Sequence, residues 1–280
     1  MVESAIDAGP VTPAKVERIY RHSLPVRLMH WINVVVLLIL LMSGLQIFNA
    51  HPALYWGDRS DPDRALLSMD GAVTEGGELR GVTTVLGRSF DTTGLLGASV
   101  GPFGNPEVRG FPSWSTVPGA RWLAMGRRWH LFFAWVFVIN GVVFALHALF
   151  SRHLSRDLIP WWKDLRGIGK SFIDHLLFRH PAGEAARHYN VLQKISYFTV
   201  VFVFGPLIVL TGMAMSPWLD AAWPWLLTVF DGRQSARTIH FLLAFGFVAF
   251  VLVHLIMVVV TGVWNNLRSM ITGWYDIRPE

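Results

Sequence analysis

Across 280 residues, 52% are hydrophobic and only 15% charged, with a mean hydropathy of +0.41. So little charge cannot cover a soluble surface, and the composition points to an integral membrane protein. The net charge of +5 comes from basic residues that flank apolar runs, which fits membrane topology and not a nucleic-acid-binding domain. With no cysteine, the chain itself holds no thiolate-ligated iron–sulfur cluster, thioether-attached haem or catalytic thiol.

Residues 1–22 are polar and basic and read as a cytoplasmic tail. The length of this lead and of the apolar run behind it argues against a cleaved signal peptide, so the first span is expected to be an uncleaved anchor. Pro25 suits a first helical turn, and the first span is expected over residues 27–48, RLMHWINVVVLLILLMSGLQIF. It carries His30 near its start, Trp31 as an interfacial anchor and Ser43-Gly44 near its far end. A glycine there permits close approach of another helix or a flat cofactor.

Residues 49–127 contain no apolar run long enough to span and are too long for a simple connection. The stretch is either a disordered loop or an ordered cap; aromatic pieces such as HPALYWG and GFPSWSTVPG favour order and a docking surface, and His51 within it reads as an ordinary surface residue. The second span is expected over 129–150 and holds His130 and His147. Seventeen residues apart, they sit about 100° apart around a helix, so at most one belongs to any single stack.

Residues 151–190 are basic, and within them Trp162, Leu165, Ile168, Phe172 and Leu176 fall on one face. That pattern predicts an interfacial helix in a cytoplasmic loop. The third span is expected over 191–216 with a kink at Gly205-Pro206. Trp218, Trp223 and Trp225 follow as interface anchors. The fourth span, 236–264, carries His240 and His254, and the tail after it is short and polar. No internal repeat is evident. Lys and Arg near the span ends put both termini in the cytoplasm and the 49–127 loop in the periplasm. The expected fold is all-α: one membrane domain, a four-helix bundle in a bacterial inner membrane, with a long periplasmic loop between its first two helices.

His240 and His254 are fourteen residues apart, so they share one helix face, within about 40°, and lie about 21 Å apart along the axis. Imidazoles at such depth tend to face a bundle interior or a cofactor. The topology brings His130 level with His240 on the outer side and His30 level with His254 on the inner side. Two imidazoles facing one another match the axial needs of a b-type haem, whose macrocycle supplies the other four nitrogens. A zinc site wants three or four ligands at one depth, and no Asp or Glu lies in any span. Arg128 and Arg237 lie on the outer side, where topology does not call for them. With Arg27 near His30, they are candidates for haem propionates, which suit a planar guanidinium.

The motifs RLMHWIN, RRWHLFFAWVFVINGVVFAL and HFLLAFGFVAFVLVH resemble the prokaryotic cytochrome b561-type di-haem subunits. These accompany nickel–iron hydrogenases, formate dehydrogenase and thiosulfate reductase. The family pattern of one ligand on helix one, one on helix two and two on helix four maps onto His30, His130, His240 and His254, leaving His147 out. The long loop is similar to a branch found with periplasmic molybdopterin oxidoreductases. The resemblance implies two non-covalent b-type haems, a quinone pocket near the inner haem and an electron-transfer role between quinone and a periplasmic, molybdopterin-dependent partner. The alternative is a self-contained oxidoreductase passing electrons from superoxide to quinone, which has little need of so long a loop.

Overall fold

The computed structural model describes residues 16–151 and 190–277, with residues 154, 159–162, 166–169, 171 and 173 between them. The expected interfacial helix in 151–190 and the tail before residue 16 therefore lie largely outside the described residues. Among those described, four helices are long and apolar enough to cross a membrane: Leu24–Phe48, Leu123–Phe150, Val191–Met215 and Arg233–Val260. The first packs along the second and the third along the fourth, so the bundle consists of two helical hairpins.

Boundaries move where local chemistry overrides hydropathy. The second helix starts at Leu123, six residues before the apolar run, because the Gly126 turn packs on Gln46 of the first helix. The fourth ends at Val260 because Gly262, at φ +103°, turns the chain into a separate amphipathic helix, Val263–Thr272. In the third, the expected disturbance at Gly205-Pro206 is a π-helical turn over Thr199–Phe204. Proline donates no hydrogen bond, so the ladder shifts one residue just before it and the Gly205 N–H bonds to the Val200 carbonyl.

The all-α expectation holds for the membrane helices and is corrected for the connection after Phe48, which is rich in strand. β1 (Glu17–Tyr20) belongs to the chain ends. In the connection, β2 (Ala53–Leu54), β3 (Leu67–Val73), β4 (Leu79–Val85) and β5 (Arg88–Asp91) form an antiparallel meander in that order. A second hairpin, β6 (Ala98–Val100) with β7 (Pro106–Val108), packs on it. The contact is close: a Cβ on Gly81 would lie 2.3 Å from the Leu96 carbonyl oxygen. Strands of two to seven residues, half of them solvent-facing and interrupted by glycine, leave no long periodic run for sequence reading to find.

Several hydrogen-bonded contacts fasten this β-rich cap to the bundle and brace it. Asn49, just past the first helix, holds Phe111 by both backbone groups: its Nδ2 donates to the Phe111 carbonyl at 3.1 Å and its Oδ1 accepts from the Phe111 N–H at 2.6 Å. Phe111 thereby enters a core with Phe48, Leu54, Met69 and Phe241. At a second place, the Gly57 carbonyl accepts from the N–H groups of Gln234 and Ser235 at 2.9 and 3.2 Å, pairing donors that a helix start leaves unmatched. Nearby, Thr238 Oγ1 donates to the Tyr55 carbonyl at 2.6 Å. Third, the fully buried Arg109 donates to the Phe111 and Gly119 carbonyls and to Thr116 Oγ1, at 2.8 to 3.1 Å, tying β7 to the chain that leads into the second helix.

At the opposite end, β1 pairs with β8 (Trp274–Ile277) in antiparallel register, so the two ends of the described chain meet. Asp276 lies between Arg18 at 2.9 Å and Arg268 at 2.6 Å. Its hydrogen bond with Arg18 first, and then that with Arg268, hold its carboxyl below the usual range. Trp31 Nε1 donates to the Met270 carbonyl at 3.0 Å, and Arg27 donates to that of Ile271. Both bonds seat the amphipathic helix under the first span.

Candidate functional site

At the cap end of the bundle, His130 of the second helix faces His240 of the fourth, with ring centroids 6.2 Å apart. Each ring is oriented by the neighbouring hairpin partner in the same way. His130 Nδ1 lies 3.1 Å from Ser43 Oγ and 3.2 Å from the Leu40 carbonyl. His240 Nδ1 lies 3.1 Å from Thr211 Oγ1 and 3.0 Å from the Ile208 carbonyl. A carbonyl can only accept, so in both rings Nδ1 carries the proton and Nε2 keeps its lone pair. The hydroxyls satisfy themselves by donating back to the helix, Ser43 to the Ile39 carbonyl at 2.6 Å and Thr211 to that of Leu207 at 2.9 Å.

A glycine follows each hydroxyl residue and leaves room for the ring. A Cβ on Gly44 would stand 3.3 Å from His130 Cε1, and one on Gly212 would stand 3.4 Å from His240 Cε1. The two hairpins thus repeat one device: a hydroxyl residue and glycine on the first helix, a histidine on the second. With only two small residues in common, the repeat leaves no trace in a sequence comparison of the halves. Ser43-Gly44 is legible in the sequence as a point of close approach; Thr211-Gly212, which does the same for His240, carries no signal of its own there.

At the other end, His30 of the first helix faces His254 of the fourth with ring centroids 6.3 Å apart. Here the rings are positioned by packing. Trp31 stands edge-on to His30 at 5.3 Å, and Phe250 stacks on His254 at 6.0 Å. The buried Nδ1 of His30 has no hydrogen-bond partner among the described residues. Asn140 of the second helix fixes the turns around His30, donating to the Met29 carbonyl at 3.0 Å and to Asn33 Oδ1 at 2.8 Å. His147 belongs to neither pair.

Both separations suit a metal held between two imidazoles. With a metal–nitrogen bond of about 2 Å, each ring centroid lies about 3 Å from the ion, and two coaxial rings stand about 6 Å apart. Among the described residues, no group of three or more His, Cys, Asp or Glu side chains could hold a metal ion. Two facing imidazoles with no third protein ligand suit an ion whose remaining ligands come from a macrocycle. The family model for prokaryotic cytochrome b561 matches residues 21–273, a stretch that contains both histidine pairs.

The chain belongs to the prokaryotic cytochrome b561 family. A cytochrome b561 membrane protein binds b-type haem and transports electrons. The chain is 26% identical over 247 residues to the putative protein-methionine-sulfoxide reductase subunit YedZ1 of Azospira oryzae, covering 88% of this chain and 93% of that protein. No solved structure matches.

The three arginines proposed for propionates differ in this cytochrome b561. Arg237, one turn above His240, donates to the His51 carbonyl, and its guanidinium lies 5.3 Å from the centre of the Phe48 ring. No carboxylate pairs with it among the described residues, so its charge remains available beside the cap-side pair. Arg128 is exposed. Arg27 is engaged by the Ile271 carbonyl, which ties it to the amphipathic helix. His51 is exposed, as expected of a surface residue, and stacks on Tyr55 at 5.6 Å. Burial first, and then the neighbouring Arg237, lower its pKa below the ordinary histidine value, against a smaller opposing pull from Asp70.

Proposed function

We propose that this cytochrome b561 carries two b-type haems, one between His130 and His240 and one between His30 and His254. In this reading it passes electrons across the inner membrane between quinone and a redox enzyme that docks on the β-rich cap. The observation that carries this is the presence of two facing imidazole pairs at opposite depths, joined by one face of the fourth helix. When bound, each haem supplies a one-electron carrier whose potential depends on axial ligation, hydrogen bonding and burial.

The chain's own residues prepare those positions. Ser43, Thr211 and the two carbonyls beside them hold Nε2 of His130 and His240 outward toward a metal and raise its basicity. Arg237 supplies a cation at the cap-side rim for a propionate. Phe48, Phe111 and Phe241 form an apolar cluster at the cap end of the bundle. Because the carbonyls remain as acceptors, Ser43→Ala and Thr211→Ala together should weaken retention of the cap-side haem by about tenfold, the low end of what outer-shell changes do. Haem transfer to excess apomyoglobin, with the other haem as internal reference, measures this. Equal retention in the double variant would contradict the assignment of these hydroxyls.

The cap is proposed to face the periplasm and both chain ends the cytoplasm, following the basic residues near the span ends. A periplasm-specific reporter placed at the exposed turn containing Gly76 should be active and one fused after Glu280 silent; the reverse pattern would invert the molecule. The docking partner is proposed to be a molybdopterin-dependent oxidoreductase, supported by the similarity to a chain described as a reductase subunit. The quinone is proposed to react near the His30–His254 pair. Adding a quinol analogue anaerobically to the oxidised protein should reduce both haems. A protein that dithionite reduces but quinol does not would exclude a quinone-linked role.

A further inference from the structure

Between the two histidine pairs the helices repeat their pairing with a different side chain. Phe247 lies seven residues after His240 and seven before His254, so it stands on the same helix face about 10 Å from each. Phe137 lies seven residues after His130. Its ring meets that of Phe247 edge-on, with centroids 6.2 Å apart. The separation is the same as in the His130–His240 pair two turns above. Phe247 is only 7% exposed.

A third phenylalanine backs this pair. Phe204, the last residue of the π-helical turn, packs edge-on against Phe247 at 6.0 Å. It reaches that position because residue 246 is glycine: a Cβ there would lie 2.7 Å from Phe204 Cε2. The irregular turn, the glycine and the seven-residue spacing converge on one aromatic layer at mid-depth. π-helical turns recur at functional positions because they re-aim a side chain.

We propose that Phe137 and Phe247, backed by Phe204, form an aromatic bridge between the two haem pockets. The bridge keeps water out of the gap and would face both groups when they are bound. This rests on the two-haem reading. The step served is the transfer of one electron from one haem iron to the other, the first oxidised by one unit as the second is reduced, with no bond or proton exchanged.

The test uses the full-length protein carrying Phe247→Leu or Phe137→Leu, with Phe250→Leu as a local comparison because Phe250 stacks on His254 alone among the haem ligands. Haem content, the low-temperature spectrum of each haem and the rate of electron equilibration between them after rapid reduction are measured. Both bridge variants should retain two haems, shift the signals of both, and slow equilibration several-fold. Phe250→Leu should shift the termini-side signal only. Bridge variants that keep two haems and equilibrate at the original rate would overturn the proposal, as would variants in which a single signal moves. Loss of haem in both bridge variants would also overturn it, by making the layer a folding scaffold. A wild-type protein with fewer than two haems would instead sink the functional reading beneath it.

Discussion

Replacing His254 by alanine should remove the haem on the side of the chain ends and leave the cap-side haem bound; replacing His240 should do the reverse. On the proposed assignment each variant deletes one of two protein ligands for its haem, while the other pair stands about 20 Å away along the fourth helix. Nothing in the cap-side pair depends on His254: His130 and His240 take their orientation from Leu40, Ser43, Ile208 and Thr211. The bound haem content should fall by half in each case, with a different component of the reduced-minus-oxidised spectrum lost. His147→Ala should leave both components in place. Loss of a haem on changing His147, with retention on changing His30, would break the termini-side pairing.

Replacing residues 60–115 with a short Gly/Ser linker should abolish electron exchange with the periplasmic partner and leave reduction of the termini-side haem by a quinol analogue nearly unchanged. The cap-side haem should remain bound, because its ligands and their orienting groups all lie on the helices. Its spectrum should shift, however. The deleted segment includes Met69 and Phe111, whose removal uncovers Phe48 and Phe241 and admits water above the pocket. Losing Phe111 also removes the two hydrogen bonds that hold Asn49, whose amide then turns to water. If the shortened protein still exchanged electrons with its partner at the original rate, the cap would not be the docking surface. A self-contained oxidoreductase acting between superoxide and quinone would then be the better reading.

The membrane helices were legible because a bilayer imposes a long apolar run that nothing else in the chain imitates. The histidine pairs were legible for a related reason: once depth and face are fixed by helix geometry, only four imidazoles can meet in twos. The cap's strands were not, because they are short, partly solvent-facing and interrupted by glycine, so no long alternating run marks them. The pairing of Glu17–Tyr20 with Trp274–Ile277 was illegible for another reason, since its two partners are four-residue pieces at opposite ends of the described chain. The amphipathic helix after Gly262 is a second case: a tail read as short and polar forms Val263–Thr272, and Arg27, beside His30, donates to its Ile271 carbonyl. Thr211 and Gly246 carry the same lesson at smaller scale, since their meaning comes from the ring each one faces across a helix interface.

The most direct test of the account is the reduced-minus-oxidised optical spectrum of the purified protein, together with the ratio of extractable haem to polypeptide. Two histidine pairs predict a low-spin b-type spectrum, haem that leaves the protein on acid–acetone extraction, and a ratio close to two. A colourless protein, or one that binds a single haem unaffected by changing either His240 or His254, would contradict it.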